Sequence, residues 1–286
     1  MSWTNYHSHC RYCDGKGEPE VFAQRAIELG LDAYGFSSHG PVPFETTWNM
    51  RAEDVTHYLS EIHQLREKYR DQIQLYCGME VDFVPGLISV QHGIVREAGL
   101  DYTIGSIHFV DAYADGTPWE IDGPHEGFLR GLHEIFEGDV KRAVRRYFEL
   151  TRQMIREAPP SVVGHVDKIK MQNEGGTLFS EEDGWYQDEV AETLRTIADA
   201  RLTVEVNTRG LYKKKTEETY PSRWILERMW AMDIPVMLNS DAHRPNEITA
   251  YFEEAALLLQ DVGYTHVQIL YDGRWQSVPL KTRINA

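Results

Sequence analysis

Cysteine is scarce in this chain: 286 residues include only Cys10, Cys13 and Cys77. Three thiols cannot close a disulfide framework, which excludes the small secreted scaffolds that depend on one. Cys10 and Cys13 have the spacing of a zinc or redox pair. No second pair accompanies them, and Asp14-Gly15-Lys16-Gly17 reads as loop where a redox motif needs the start of a helix. Basic residues are also in deficit, 29 against 45 acidic, for a formal charge of −16. A nucleic acid held against a basic face is therefore not an expected partner. Long apolar runs are missing, so no segment is a candidate membrane span. The first residues enter strand-like sequence without a charged-then-apolar leader, and a cytoplasmic protein is the expectation. Neither Gly-x-Gly-x-x-Gly nor a Gly-Lys-Ser/Thr loop occurs, which weakens a nucleotide-binding open sheet.

What is present is a repeated alternation. Hydrophobic residues make up 42% of the chain, enough for a large core. Strands are predicted over 3–6, 31–37, 73–80, 100–108, 161–165, 202–207 and 234–240. Helices are predicted over 19–30, 51–70, 86–99, 139–157, 181–200, 221–232 and 245–260. Asp139 is the expected N-cap of its helix, and Pro159-Pro160 ends it. Residues 109–138 carry several glycines and a mixed pattern, and read as a long excursion or lid over the domain that can carry a short helix. Asp272-Gly273 between two apolar stretches predicts a closing hairpin. Seven strand–helix units over 1–286 indicate one α/β domain with a parallel sheet. A barrel is favoured over an open sheet because polar residues recur at the C-terminal ends of six strands, which a barrel gathers at one mouth.

Those residues are His7, His9, Asp14, His39, Glu80, His108, His165, Asp241 and His243. His7 and His9 stand at i and i+2 on an extended segment and point the same way. Glu80 lies in a buried strand, where a carboxylate is costly unless paired or metal-bound. Nine mixed nitrogen and oxygen donors exceed what one tetrahedral ion can use. They suit two or three divalent ions, Zn, Fe or Mn. Three such ions bring a charge of about +6 against about −3 from the carboxylates, a net positive site suited to a phosphate.

Taken together the motifs resemble the PHP (polymerase and histidinol phosphatase) metal-dependent phosphoesterases, and within them the histidinol-phosphatase branch. The resemblance is carried by Tyr6-His7-Ser8-His9 with Asp14-Gly15, Gly35-Phe36-Ser37-Ser38-His39-Gly40-Pro41 and Trp48-Asn49-Met50. It continues through Gly78-Met79-Glu80-Val81-Asp82-Phe83, Ile104-Gly105-Ser106-Ile107-His108-Phe109 and Gly164-His165-Val166-Asp167. It closes with Glu205-Val206-Asn207-Thr208-Arg209-Gly210 and Ser240-Asp241-Ala242-His243. It implies a distorted (β/α)7 barrel with a trinuclear site at the C-terminal ends of the strands. By position, His7, His9, Glu80 and Asp241 would hold one ion. Glu80, His108 and His165 would hold the second, and Asp14, His39 and His243 the third. Many family members have histidine where Asp14 stands. The implied reaction is metal-dependent hydrolysis of L-histidinol phosphate to L-histidinol and phosphate by a hydroxide bridging two ions. Another small phosphoester, or a non-catalytic metal-binding module, is the alternative. Arg209 is the expected phosphate contact, with Asn207 beside it. Asp82, Trp48 and Phe44 are candidates for the rest of the substrate, and Asp241, His243 or a metal-bound water for the proton to the leaving oxygen.

Overall fold

The computed structural model describes residues 3–281. Its core is one sheet of seven strands in the order β1 (Thr4–Asn5), β2 (Ala33–Phe36), β3 (Gln74–Asp82), β4 (Tyr102–Ser106), β7 (Val162–Val163), β8 (Thr203–Asn207) and β9 (Val236–Asn239). Every pair is parallel. Beyond β1 and β9 the sheet curls nearly shut. Ser8 and Ala242 form a parallel bridge, with backbone bonds from His9 N to Ala242 O (2.8 Å) and Ala242 N to His7 O (3.1 Å). The α/β barrel expected from the strand–helix alternation is thus the observed architecture.

Helices coat the outside: α1 (Pro19–Glu28), α2 (Val55–Tyr69), α5 (Val140–Glu157), α6 (Gly184–Ala200), α8 (Arg223–Ala231) and α9 (Phe252–Val262). Each offers an apolar stripe to the strands, as α2 does with Val55, Tyr58, Ile62, Leu65 and Tyr69. Asp139 caps α5 by accepting from Arg142 N, as its position predicts. The chain ends in the hairpin β10 (His266–Tyr271) and β11 (Arg274–Pro279). Asp272 and Gly273 both have positive φ, the geometry that Asp-Gly supplies to a two-residue turn.

The lower half of the barrel is filled by side chains of the strands. Tyr6, Tyr76, Tyr102, Ile104 and Met237 pack together, closed from below by Ile269 and Leu270 of β10. Tyr6 Oη donates to Leu270 O and accepts from Leu270 N. Tyr102 Oη donates to Tyr6 O or Phe36 O. Room for its ring requires glycine on β2 and β3: a Cβ on Gly35 or Gly78 would come within about 2.5 Å of it.

Three expectations need correction. Residues 86–99 are not a helix; a single turn, α3 (Gly93–Arg96), remains after Val84 bridges back to Ile88 around Gly86. Residues 109–138 hold more order than the one short helix expected there. They form the antiparallel pair β5 (Phe109–Ala112) and β6 (Pro118–Glu120), then the three-turn helix α4 (His125–Phe136). Trp119, Phe128, Leu132 and Phe136 bury this unit against the main core. The predicted helix over 245–260 is a short 3-10 turn at Pro245–Glu247 followed by α9, because Tyr251 takes a left-handed conformation between them.

Candidate metal centre and active site

Strand ends aim the polar residues upward into one cluster. His7 and His9 leave β1, His39 follows β2, Glu80 sits within β3, and His108 lies just past β4. His165 lies past β7, and Asp241 and His243 past β9. Asp14 reaches in from the turn after His9. Asp241 holds a left-handed backbone (φ 53°), an unfavourable conformation for a non-glycine residue of the kind that gathers at functional sites. All nine predicted residues are brought together. All except Asp14 are buried, and Asp14 is partly exposed.

Glu80 is the centre of the arrangement. Its Oε2 lies 3.1 Å from His7 Nε2, 3.0 Å from His39 Nδ1 and 3.5 Å from His9 Nε2. Its Oε1 lies 3.0 Å from His165 Nε2 and 3.6 Å from His108 Nε2, and accepts from Ser106 Oγ at 2.6 Å. One carboxylate thus faces two separate sets of imidazoles. Asp241 Oδ1 lies 3.1 Å from His9 Nε2 and 3.7 Å from His7 Nε2. Asp14 Oδ1 lies 3.1 Å from His243 Nε2 and 3.8 Å from His39 Nε2.

Beneath this layer other acids hold the rings. Glu205 Oε2 accepts from His7 Nδ1 at 2.7 Å, and its Oε1 accepts from His165 N and Asn207 Nδ2. Asp82 Oδ1 accepts from His108 Nδ1 at 2.9 Å. A carboxylate on Nδ1 fixes the tautomer whose Nε2 lone pair points at the cluster, the usual support of a metal-ligating histidine. Yet the buried His7 Nε2, His9 Nε2, His39 Nδ1, His108 Nε2 and Asp14 Oδ1 have no hydrogen-bond partner among the described residues. Buried polar atoms without partners ask for an explanation, and convergent imidazole nitrogens and carboxylate oxygens are the donor set that divalent zinc, iron or manganese would accept. The residues fit such ions.

Among the described residues three donor groups are close enough to share an ion: His9, Asp14, His39 and His243; His7, His9 and Asp241; His39, Glu80 and His108. These groups differ in part from the sets implied by resemblance. His9 approaches both Asp14 and Asp241, and His39 lies between Asp14 and Glu80.

Electrostatics follow from this crowding. Burial would raise the Glu80 carboxyl, but His7, His39 and His108 hold it well below the usual range. Asp241 is likewise depressed, against burial, by His7, Arg209 and His9. Burial would lower His108; Asp82 and Glu80 instead push it up to about 9. Burial and the Arg209 guanidinium both lower His243.

Above the cluster opens a cavity of about 430 Å³. Asp14, His39, Asp241 and His243 form its floor, and Trp48, Glu120 and Asp122 form one wall. Arg209, Lys213, Lys215 and Lys168 bring four cations to it. Asp14, Glu120, Asp122 and Asp241 line it too, so the lining is balanced in formal charge where the chain as a whole is at −16. Arg209 donates to Asp241 O (2.9 Å) and approaches His243 Nδ1 (2.8 Å). Trp48 stacks on Phe109 and donates from Nε1 to Glu120 Oε2 (2.8 Å). Phe44 packs on Phe109 from outside this wall.

Two expected substrate contacts fall elsewhere. Asp82 is buried, bonded to His108 and Asn49, and has no face on the cavity. Asn207 lies under the floor, bridging Glu205 and Asp241 and accepting from Arg209 N. Sequence reasoning gave no role to Glu205, Asp122 and Lys168. Glu205 had the same signal as Glu80, an acid between apolar residues in a buried strand.

A pattern for the PHP domain matches residues 5–209, well over half of the chain. The chain belongs to the PHP domain family. Within this PHP domain the match includes His7 through His165 and Arg209, while Asp241 and His243 lie beyond it. A Deinococcus radiodurans protein named "Probable histidinol-phosphatase" is 29% identical over 260 residues, 90% of this chain and 92% of that protein. A Listeria monocytogenes structure, described as a candidate histidinol phosphatase, aligns with a TM-score of 0.75 and 25% identity, over 87% of this chain and 99% of that one. A Lactococcus lactis histidinol phosphate phosphatase, solved with zinc, L-histidinol and phosphate, aligns with a TM-score of 0.71 and 19% identity, over 96% of this chain and 98% of that one. The PHP domain described here has the same barrel.

Proposed function

We propose that this PHP domain is a metal-dependent histidinol-phosphatase, hydrolysing L-histidinol phosphate to L-histidinol and phosphate in histidine biosynthesis. The observation that carries the reading is Glu80, whose two oxygens face separate histidine sets beneath a cavity that collects four cations. Relatives named for this activity match nearly the whole chain.

His7, His9, Glu80 and Asp241 would hold one ion, Glu80, His108 and His165 a second, and Asp14, His39 and His243 a third. When bound, zinc, iron or manganese ions supply positive charge for the phosphoryl oxygens and activate water for attack at neutral pH. The chain's own groups then do the rest. Glu205 and Asp82 hold His7 and His108 in the ligating tautomer. Arg209, fixed through Asp241 O and seated on Asn207, offers its remaining N–H groups to a phosphoryl oxygen. Trp48 provides an apolar wall for the organic part of the substrate. A residue serving as metal ligand must be deprotonated, so Asp241 and His243 act as ligands and orienting groups. Solvent at the mouth is then left to protonate the leaving oxygen.

The test is phosphate release by metal-loaded protein from a panel of phosphoesters. A kcat/KM for L-histidinol phosphate well above those for other monoesters and for diesters is expected, with loss on chelation. Preference for another phosphoester would redirect the assignment. Full metal loading without turnover of any would make the chain a binding module.

A further inference from the structure

Among the four cations at the cavity, Lys168 is unlike the rest. Lys213 is tied to Glu247 at the rim, Lys215 is exposed, and the Arg209 side chain keeps partial exposure. Lys168 is 4% exposed, at the first turn after His165, yet it lines the cavity. Its Nζ lies 2.7 Å from Asp122 Oδ2, 3.4 Å from His165 Nε2 and 4.0 Å from Asp241 Oδ2. Asp241 Oδ2 is also 3.9 Å from Arg209 Nε. Two cations from neighbouring strands, after β7 and after β8, therefore approach one carboxylate oxygen on the cavity floor.

We infer that Lys168 is a phosphoryl-binding residue, gripping the anion alongside Arg209 with its ammonium aimed by Asp122. This rests on the phosphatase reading above. An ammonium has three donors; Asp122 takes one in a short ion pair, and the His165 Nε2 lone pair, 3.4 Å away, is reserved for an ion in that reading. Donors remain for a ligand in the cavity. Arg209 presents a planar fork and Lys168 a point charge, so together they can hold two oxygens of one tetrahedral anion. Asp122 comes from the segment between β6 and α4. The excursion over the mouth thereby sets the position of a substrate-binding cation.

The bland alternative is that Lys168 only balances Asp122, and paired variants separate the two. Inorganic phosphate is used as the probe, by competitive inhibition and by calorimetry on metal-loaded protein, with metal content measured on each variant. Lys168→Met should weaken phosphate binding and raise KM about 10- to 100-fold, the range for one charge-assisted hydrogen bond, with metal content unchanged. Lys168→Arg should recover most of the loss. The double variant Lys168→Met with Asp122→Asn leaves no unpaired carboxylate, and should bind phosphate as poorly as Lys168→Met. Recovery of parental binding in the double variant, or parental binding by Lys168→Met itself, would overturn the inference. Parent protein that binds metal but no phosphate would overturn it together with the phosphatase reading.

Discussion

The two ends of the barrel are built from the same strands and solve opposite problems. At the bottom, polar atoms are few and matched: Tyr6 Oη, Tyr102 Oη and Tyr76 Oη each have an internal acceptor. At the mouth, five buried nitrogen and oxygen atoms converge without a hydrogen-bond partner among the described residues. A barrel closed at one end by aromatic packing tolerates this concentration of like donors at the other. The lesson is a division of labour along each strand, with stability below and chemistry above.

Substitutions can break that comparison from either end. The largest effect is expected at Glu80. Glu80→Gln removes the carboxylate that faces both histidine sets, so metal content and phosphatase activity should fall together, kcat/KM by about 10³-fold or more. Full activity with a full metal complement would refute its role. Next comes Arg209→Met, which should lower kcat/KM about 100-fold while metal analysis stays at the parental level. Glu205→Gln acts one layer lower. It weakens the hold on His7 Nδ1 and should reduce metal affinity about 10- to 100-fold, as read by chelator competition. At the bottom, Gly78→Ala drives a methyl into the Tyr102 ring and should destabilise by about 1–3 kcal/mol in denaturant unfolding. The folded fraction should keep its kcat. A Gly78→Ala protein that is parental in stability but poor in turnover would dissolve the separation of the two ends.

The barrel and its mouth were legible because a buried strand that ends in a histidine or acid violates the pattern around it. That violation marked His39, Glu80, His108 and His165 without any partner being known. The supporting layer was harder to see. Asp82 carries a charge, and sequence cannot distinguish a carboxylate facing substrate from one facing the back of a histidine; the structure places it behind His108. Residues 109–138 were misjudged for a related reason. Their glycines suggested loop, yet Gly131 lies within α4 because the Trp119 indole occupies the space a side chain would need. Glycine there records a close packing contact, which has no local sequence signature. The stretch 86–99 failed in the other direction, since its apolar residues fit a helical period while the chain turns at Gly86.

The bridge between Ser8 and Ala242 joins segments more than 200 residues apart in the chain. The first two histidines leave the ribosome early and wait for Asp241 and His243, so the centre completes only when the last strand of the barrel arrives. Any ion that spans the two segments is then also a rivet across the seam, and loading it would report that the ring has shut.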